Sequence, residues 1–483
     1  MDKQKNLLKN SIELINKKFF IEAKKNLLEF IDKNKNLKII PQIYYFLYLA
    51  HNGLGEINSA KKYLKKCISL DNKNCIYYNN LANIYLQQNQ ILEAEKNYLK
   101  SYSIKKNYLL VIVNLAIFYQ NTGQIDKSKK FYHEAIKLSP ERISIYFNLS
   151  RLDKEFIDDN KIKFLSSLMK KKDIELSEKA YGFFILAAYE KKRGNISNEI
   201  NYLKKGNELS YLSNEKNNNL TLQYWKNVVP KKYKDFKFKN YDLNLALKKI
   251  NPIFVIGLPR SGSTLIEVLI QSSNKKIRSL GESSIINGIV ASNFGDLKSL
   301  DIDLNFIEKK LLEKYSEKNF QFENNFFIDK SLENFFYINL ILKIFPKAKF
   351  IHSKRNLKDN VLAIFKQSLS KLSWTHDLEN ILGYTENYLQ VMNFYKKKYS
   401  ENIIDISLEE ISNNPLETSK KLISFCGLKW SEKIFSNFDK SNFLISTASN
   451  IQIRSRIKKY DYNQYTPYLG LLENFKKKYN WLN

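Results

Sequence analysis

From residue 41 onward, apolar and small residues return to the same columns every 34 positions. Ala60, Ala94 and Ser128 form one column, Tyr44, Tyr78, Ile112 and Tyr146 a second, and Leu47, Leu81, Leu115 and Leu149 a third. Tyr48, Ala82, Ala116 and Ser150 approximate a small-residue column, while Gly55, Asn89 and Gly123 mark the place where one helix turns into the next. The pattern predicts helix-turn-helix units, each with an apolar face that only a neighbouring unit can cover. An earlier unit around Ala23 sits 37 residues before Ala60, and a degenerate later one joins Leu186–Gly194 to a second helix containing Tyr202–Gly206. Lys216 to Asp242 is rich in Lys and Asn, contains Pro230 and has no sustained period, so it reads as linker. Beyond it, short β-rich runs at Ile253–Ile256, Phe326–Ile328, Lys349–Ser353 and Ile403–Ile406 alternate with helical stretches. Glu333 to Phe345 forms one such helix, ended by Pro346, and Pro415 to Phe425 forms another, with Gly427 just past its end. That alternation predicts a mostly parallel sheet with helices on both faces.

A 34-residue unit with these columns resembles the tetratricopeptide repeat. The resemblance implies an α-superhelix with a concave surface, acting either as a plain scaffold or as a groove for a peptide or partner protein. The expected organisation is therefore a repeat array over residues 1–215, a linker over 216–249 and a phosphate-loop-like α/β domain over 250–483.

Composition narrows the function classes. Three cysteines without metal-like spacing and four histidines argue against a disulfide framework or a zinc site, which favours a reducing, cytoplasmic setting and no metal. The most apolar stretch, Tyr108 to Phe118, is broken by Asn114 and too short to span a bilayer. The net charge of +30 comes from Lys spread evenly among Asn and Ile, without a basic stripe interleaved with aromatics, so nucleic acid is not the expected partner.

The densest chemistry lies in Pro252-Ile-Phe-Val-Ile-Gly-Leu-Pro-Arg-Ser-Gly-Ser-Thr264: an apolar strand, a loop bounded by Gly257 and Gly262, then an apolar helix. Backbone N–H groups in such a loop, together with the positive end of the helix, suit an anion. Gly-x-x-x-x-Gly-x-Thr is the spacing of a Walker A loop, but Ser263 stands where the phosphate-binding Lys belongs. The cation has moved into the loop as Arg260, and Ser261, Gly262, Ser263 and Thr264 complete the candidate anion site. In an open parallel sheet, ligands gather at the carboxyl ends of strands. Lys330 and Arg355 follow two other predicted strands, so with Arg260 they are expected on one rim.

Residues 250–470 resemble a sulfotransferase of the kind fused to tetratricopeptide repeats and related to tyrosylprotein sulfotransferases. The resemblance rests on Gly-Leu-Pro-Arg260-Ser-Gly-Ser-Thr264-Leu, Gly281-Glu282, Asp329-Lys330, the run from Phe345 through Arg355 to Asn356, and Thr447-Ala-Ser449 with Gln452-Ile-Arg454. It implies the cofactor 3′-phosphoadenosine 5′-phosphosulfate (PAPS) and transfer of a sulfuryl group to a hydroxyl or phenol, protein tyrosine among the candidates. It assigns Glu282 as general base, Lys330 as the group acting on the leaving oxygen, Ser449 as a further donor and Arg355 as the ligand of the 3′-phosphate. Ala363 departs from the family pattern where a Ser is common, with Lys366 and Gln367 the next candidates, and Leu408 replaces a Tyr. Glu267 is a rival base, and Lys458 and Lys459 are candidate substitutes on the cofactor side. A phosphate-loop nucleotide kinase and a catalytically weak repeat protein are the competing readings.

Overall fold

The computed structural model describes residues 2–35, 40–234, 236–239, 247–274, 276–294, 301–320, 326–432, 434–435 and 457–483. The chain forms two compact units, residues 1–138 with 312–321 and residues 139–311 with 322–483.

The first unit is built from antiparallel helix pairs: Asp2–Asn16 with Phe20–Lys33, Pro41–Gly53 with Ile57–Leu70, Cys75–Gln87 with Ile91–Ile104, and Leu109–Asn121 with Ile125–Leu138. The repeat columns are its core. Leu47, Leu115, Ala60, Ala94 and Ser128 are fully buried, and Leu81 nearly so. Ser128 is tolerated in an alanine column because its Oγ donates to the Ala116 carbonyl at 2.7 Å. The turn column has a backbone cause: Gly55, Asn89 and Gly123 all take positive φ, at 71°, 56° and 81°. Asn is the side chain that best substitutes for Gly there. Within this unit, Glu317 accepts the Asn58 N–H at 2.5 Å, and Gln88 Nε2 donates to the Glu317 carbonyl at 3.1 Å.

The second unit opens with the helices Ile143–Leu152 and Asp159–Met169, both packed on Leu176–Lys192, which pairs with Ile196–Leu212. The last turn again uses positive φ, 76° at Gly194. Residues 215–232 differ from the linker reading: they are helical, as Glu215–Gln223, a π-helical turn at Tyr224–Val228, and Val229–Lys232. Aromatic residues inside the Lys/Asn-rich stretch explain the difference. Trp225 stacks on Phe336 with ring centroids 5.8 Å apart, and the Tyr224 hydroxyl donates to Asn287 Oδ1 at 3.2 Å.

Apart from a short parallel pair, Lys237–Phe238 with Asp301–Ile302, five of the described strands build the main sheet: β1 Asn251–Gly257, β2 Arg278–Ser279, β3 Phe326–Asp329, β4 Lys349–Lys354 and β5 Ile403–Ser407. They form one sheet in the order β2-β3-β1-β4-β5, every pairing parallel. The short edge strand β2 lay outside the sequence reading, because two residues carry no period. Both faces are covered, as the near-continuous apolar run of β1 requires. On one face Ile253 and Val255 pack with Ile266, Leu269, Leu422 and Ile423, and on the other Phe254 meets Phe327, Phe345 and Phe350. The helix expected over Glu333–Phe345 is a 3₁₀ segment, Leu332–Tyr337, continuing as Ile338–Ile344. Pro415–Phe425 is helical as expected. Because the chain leaves β1 toward β2 and β3 on one side and β4 and β5 on the other, the carboxyl end of β1 is a topological switch point.

Candidate active site

The loop after β1 has a backbone that demands its glycines. A Cβ on Gly257 would lie 2.5 Å from the Ser353 carbonyl oxygen, and its φ is 140°. Arg260 itself takes φ 67°, and Gly262, at φ 97°, caps the helix Ser263–Ser273. Left-handed backbone at a non-glycine residue stores strain, which clusters at ligand-binding turns. Ser263 and Thr264 are buried in the first turn of that helix. Ser261 is turned inward. Its hydroxyl lies 2.7 Å from the Leu258 carbonyl oxygen and 2.9 Å from Ser353 Oγ, while the Ser353 hydroxyl donates to the Ser261 carbonyl at 3.0 Å. Asn360 Nδ2 donates to the Pro259 carbonyl at 2.7 Å, so β4 and the helix after it lock the loop from one side.

Arg355, just past β4, adjoins this loop. Its guanidinium donates to the Arg260 carbonyl at 3.3 Å, and its Nε donates to the Tyr460 hydroxyl at 2.9 Å. The Tyr460 and Tyr465 rings lie 5.3 and 4.9 Å from it. Tyr460 in turn donates to Asp359 Oδ2. Burial, together with the nearby Arg355 cation, presses against the charge on Arg260, with Tyr465 acting the other way. A bound anion would relieve that pressure.

At the end of β3, Lys330 is fully buried and meets two carboxylates. Its Nζ is 2.7 Å from Glu282 Oε1 and 3.6 Å from Glu267 Oε2. Burial works against the Lys330 charge, but attraction to Glu267 and Glu282 outweighs it and raises its pKa. Burial pushes the Glu267 carboxyl up, against the opposing pull of Lys330 and a Ser279 hydrogen bond. The backbone on either side of Glu282 is tied to the end of β3. Gly281 O accepts the Lys330 N–H at 3.0 Å, and Asp329 takes Ser283 Oγ on one oxygen at 3.0 Å and the Ser331 N–H on the other at 2.8 Å. Glu282 is exposed while Glu267 is buried, so the two carboxylates of the cluster face different environments.

The structure thus brings Arg260, Ser261, Gly262, Ser263, Thr264 and Arg355 together at the β1 and β4 ends, and Glu282 with Lys330 at the neighbouring β3 end. Ser449 lies outside the described residues, as do Thr447, Gln452 and Arg454. Ala363 is buried in the helix Leu357–Phe365, and Leu408 packs so closely that a Cβ on Gly262 would approach its Cδ1 at 3.0 Å. Lys366 is engaged with Glu199, at 2.8 Å. The contacts that sequence reading missed are Tyr460 and Tyr465 on Arg355 and the Ser261–Ser353 lock, none of which has a local signal. Among the described residues, no group of three or more His, Cys, Asp or Glu could hold a metal ion, and no helix is long and apolar enough to cross a membrane.

A parallel α/β domain whose central strand runs into a glycine-bounded, arginine-bearing loop defines the class: a phosphate-loop-like domain preceded by helical repeats. The comparisons give the family. Residues 252–432 match the model of the sulfotransferase family, and residues 41–74, 77–108 and 111–142 match the tetratricopeptide repeat. The chain is a tetratricopeptide-repeat protein that carries a sulfotransferase-family domain. An uncharacterized protein of Aquifex aeolicus (strain VF5) is 29% identical over 251 residues, 47% of this chain and 33% of that protein, so the match takes in about a third of the relative's length. Sulfotransferase STF1 from Mycobacterium tuberculosis H37Rv aligns at 14% identity over 58% of this chain and 92% of its own, with a TM-score of 0.28. A Pseudomonas aeruginosa pilF structure aligns at 12% identity over 41% of this chain and 88% of its own, with a TM-score of 0.34.

Proposed function

We propose that this protein is a PAPS-dependent sulfotransferase that moves a sulfuryl group to a hydroxyl or phenol, a protein tyrosine being the candidate acceptor a repeat groove would present. The observation that carries this reading is the buried Lys330, ion-paired to Glu282 beside a glycine-bounded loop in which Arg260 and Arg355 adjoin. The functional division would be repeats over 1–215, a connecting stretch over 216–249 and the transferase over 250–483. Three free, buried cysteines suit a cytoplasmic setting.

The residues present fit the cofactor. Gly257 lets the loop pack tightly against the Ser353 backbone, and Arg260 on that loop is a cation whose burial an anion would offset. Bound PAPS would supply an activated sulfuryl group and leave as adenosine 3′,5′-bisphosphate. Arg260, Gly262, Ser263, Thr264 and the backbone of Ser261 would hold its anionic end, and Arg355 its 3′-phosphate through charge-assisted hydrogen bonds. In this reading Glu282 takes the proton of the acceptor hydroxyl as the new oxygen–sulfur bond forms. Lys330 donates to the oxygen from which sulfur departs, stabilising the charge that develops there. Glu267 keeps Lys330 charged and oriented from the buried side, while Ser449 would be a further donor to the leaving oxygen.

Thermal denaturation of the full chain tests this. Adenosine 3′,5′-bisphosphate should raise the melting temperature and ATP with Mg²⁺ should not. Stabilisation by ATP with Mg²⁺ alone would point to a nucleotide kinase, and stabilisation by neither to a repeat protein without cofactor.

A further inference from the structure

Glu199 lies on Ile196–Leu212, the last repeat helix of the second unit, and is only 2% exposed. Both of its oxygens are engaged. Oε1 lies 2.8 Å from Lys366 Nζ, and Oε2 accepts the Tyr468 hydroxyl at 2.6 Å. Lys366 Nζ also sits 3.1 Å from the centre of the Tyr468 ring. A carboxylate this buried is tolerated only when paired and hydrogen-bonded, and here Lys366 supplies the charge and Tyr468 the hydrogen bond.

Both partners lead to Arg355. Lys366 caps the helix Leu357–Phe365, which starts two residues after Arg355. The same repeat helix holds that helix end a second time, through Asn207 Nδ2 donating to the Phe365 carbonyl at 2.9 Å. Tyr468 belongs to the C-terminal segment that lays Tyr460 and Tyr465 against Arg355, and the Tyr465 and Tyr468 rings are 6.4 Å apart. We propose that Glu199 is a positioning residue of the anion site: by holding Lys366 and Tyr468, the last repeat helix sets the aromatic clamp that orients the Arg355 guanidinium. The inference rests on the reading of Arg355 as the 3′-phosphate ligand. Its consequence is that this repeat helix is part of the cofactor site and not merely an acceptor groove.

Calorimetric titration of the full chain tests it with two ligands, adenosine 3′,5′-bisphosphate and adenosine 5′-phosphosulfate, which lacks the 3′-phosphate. Glu199→Gln keeps an acceptor for Tyr468 but removes the charge facing Lys366, and Tyr468→Phe keeps the ring but removes the hydroxyl. Each should weaken bisphosphate binding by about tenfold, as expected for one misplaced charge-assisted hydrogen bond, and change phosphosulfate binding by less than about twofold. Unchanged bisphosphate affinity in the folded variants, or equal losses for both ligands, overturns the proposal. A wild-type protein that shows no preference for the 3′-phosphate overturns the Arg355 reading itself, and the inference with it. Should Glu199→Gln fail to fold, the milder Tyr468→Phe carries the test alone.

Discussion

Lys330 Nζ and Glu282 Oε1 stand 2.7 Å apart, so the two groups proposed for opposite ends of the transfer hold each other in the free protein. The pair is asymmetric. Lys330 is fully buried, with Glu267 behind it, whereas the Glu282 side chain is half exposed. The exposed partner is the one free to swing toward an acceptor, while the lysine stays fixed by its second carboxylate.

Substitutions at Lys330 and Arg260 should therefore separate turnover from binding. Lys330→Met should cut kcat by about 10²-fold or more with little change in cofactor affinity, because it removes a donor used mainly in the transition state. Arg260→Ala should weaken both. Single-turnover rates and titration with adenosine 3′,5′-bisphosphate measure the two effects, and equal small losses for both variants would move the site elsewhere.

The two carboxylates should also separate. Glu282→Gln should retain cofactor binding and lose about 10²-fold or more in kcat, as expected for loss of a general base. Glu267→Gln should cost far less, because the side chain lies on the buried side of Lys330 and glutamine still offers the lysine an oxygen. The reverse order of losses in steady-state kinetics would assign the base to Glu267 and leave sulfuryl transfer as the reading.

Gly257 has no neighbouring flexible side chain that could give way. A Cβ there would meet backbone, the Ser353 carbonyl oxygen at 2.5 Å, at a φ of 140°. Gly257→Ala should destabilise the second unit by about 2–4 kcal/mol, or force the loop open and abolish bisphosphate binding. Urea denaturation together with ligand titration checks this, and a variant with wild-type stability and affinity would show that the tight loop plays no part.

The sequence exposed what is periodic or local. The repeat columns, the strand-loop-helix around Gly257 and Gly262, and the cations after β1, β3 and β4 were all legible, because each depends on spacing within one segment. Long-range contacts were not. Tyr460 and Arg355 are 105 positions apart, and Glu199 and Tyr468 are 269 apart, so no window along the chain connects them. Glu267 was legible only as a rival base, and only the fold shows that Lys330 stands beside it. The helical order around Trp225 was not legible for a compositional reason, since Lys and Asn outnumber the few aromatic residues that dock it.

His376 should give the second unit a distinct acid sensitivity. It is buried, neither ring nitrogen has a hydrogen-bond partner among the described residues, and burial lowers its pKa to about 4. Between that value and the ordinary value of 6.5, the unfolded chain takes up the proton first, so stability falls as pH drops through this window. The loss should approach about 3 kcal/mol. His376→Phe should flatten this part of the pH–stability curve from urea titrations, and an unchanged slope would contradict it.

The central claim is sulfuryl transfer from PAPS, and it is tested most directly by incubating the full chain with ³⁵S-labelled PAPS and an extract of the source cells. Covalent ³⁵S label on a hydroxyl-bearing acceptor is the expected result, lost with Lys330→Met while bisphosphate binding persists. Transfer of phosphate from γ-³²P-labelled ATP, with no label transferred from PAPS, would contradict it.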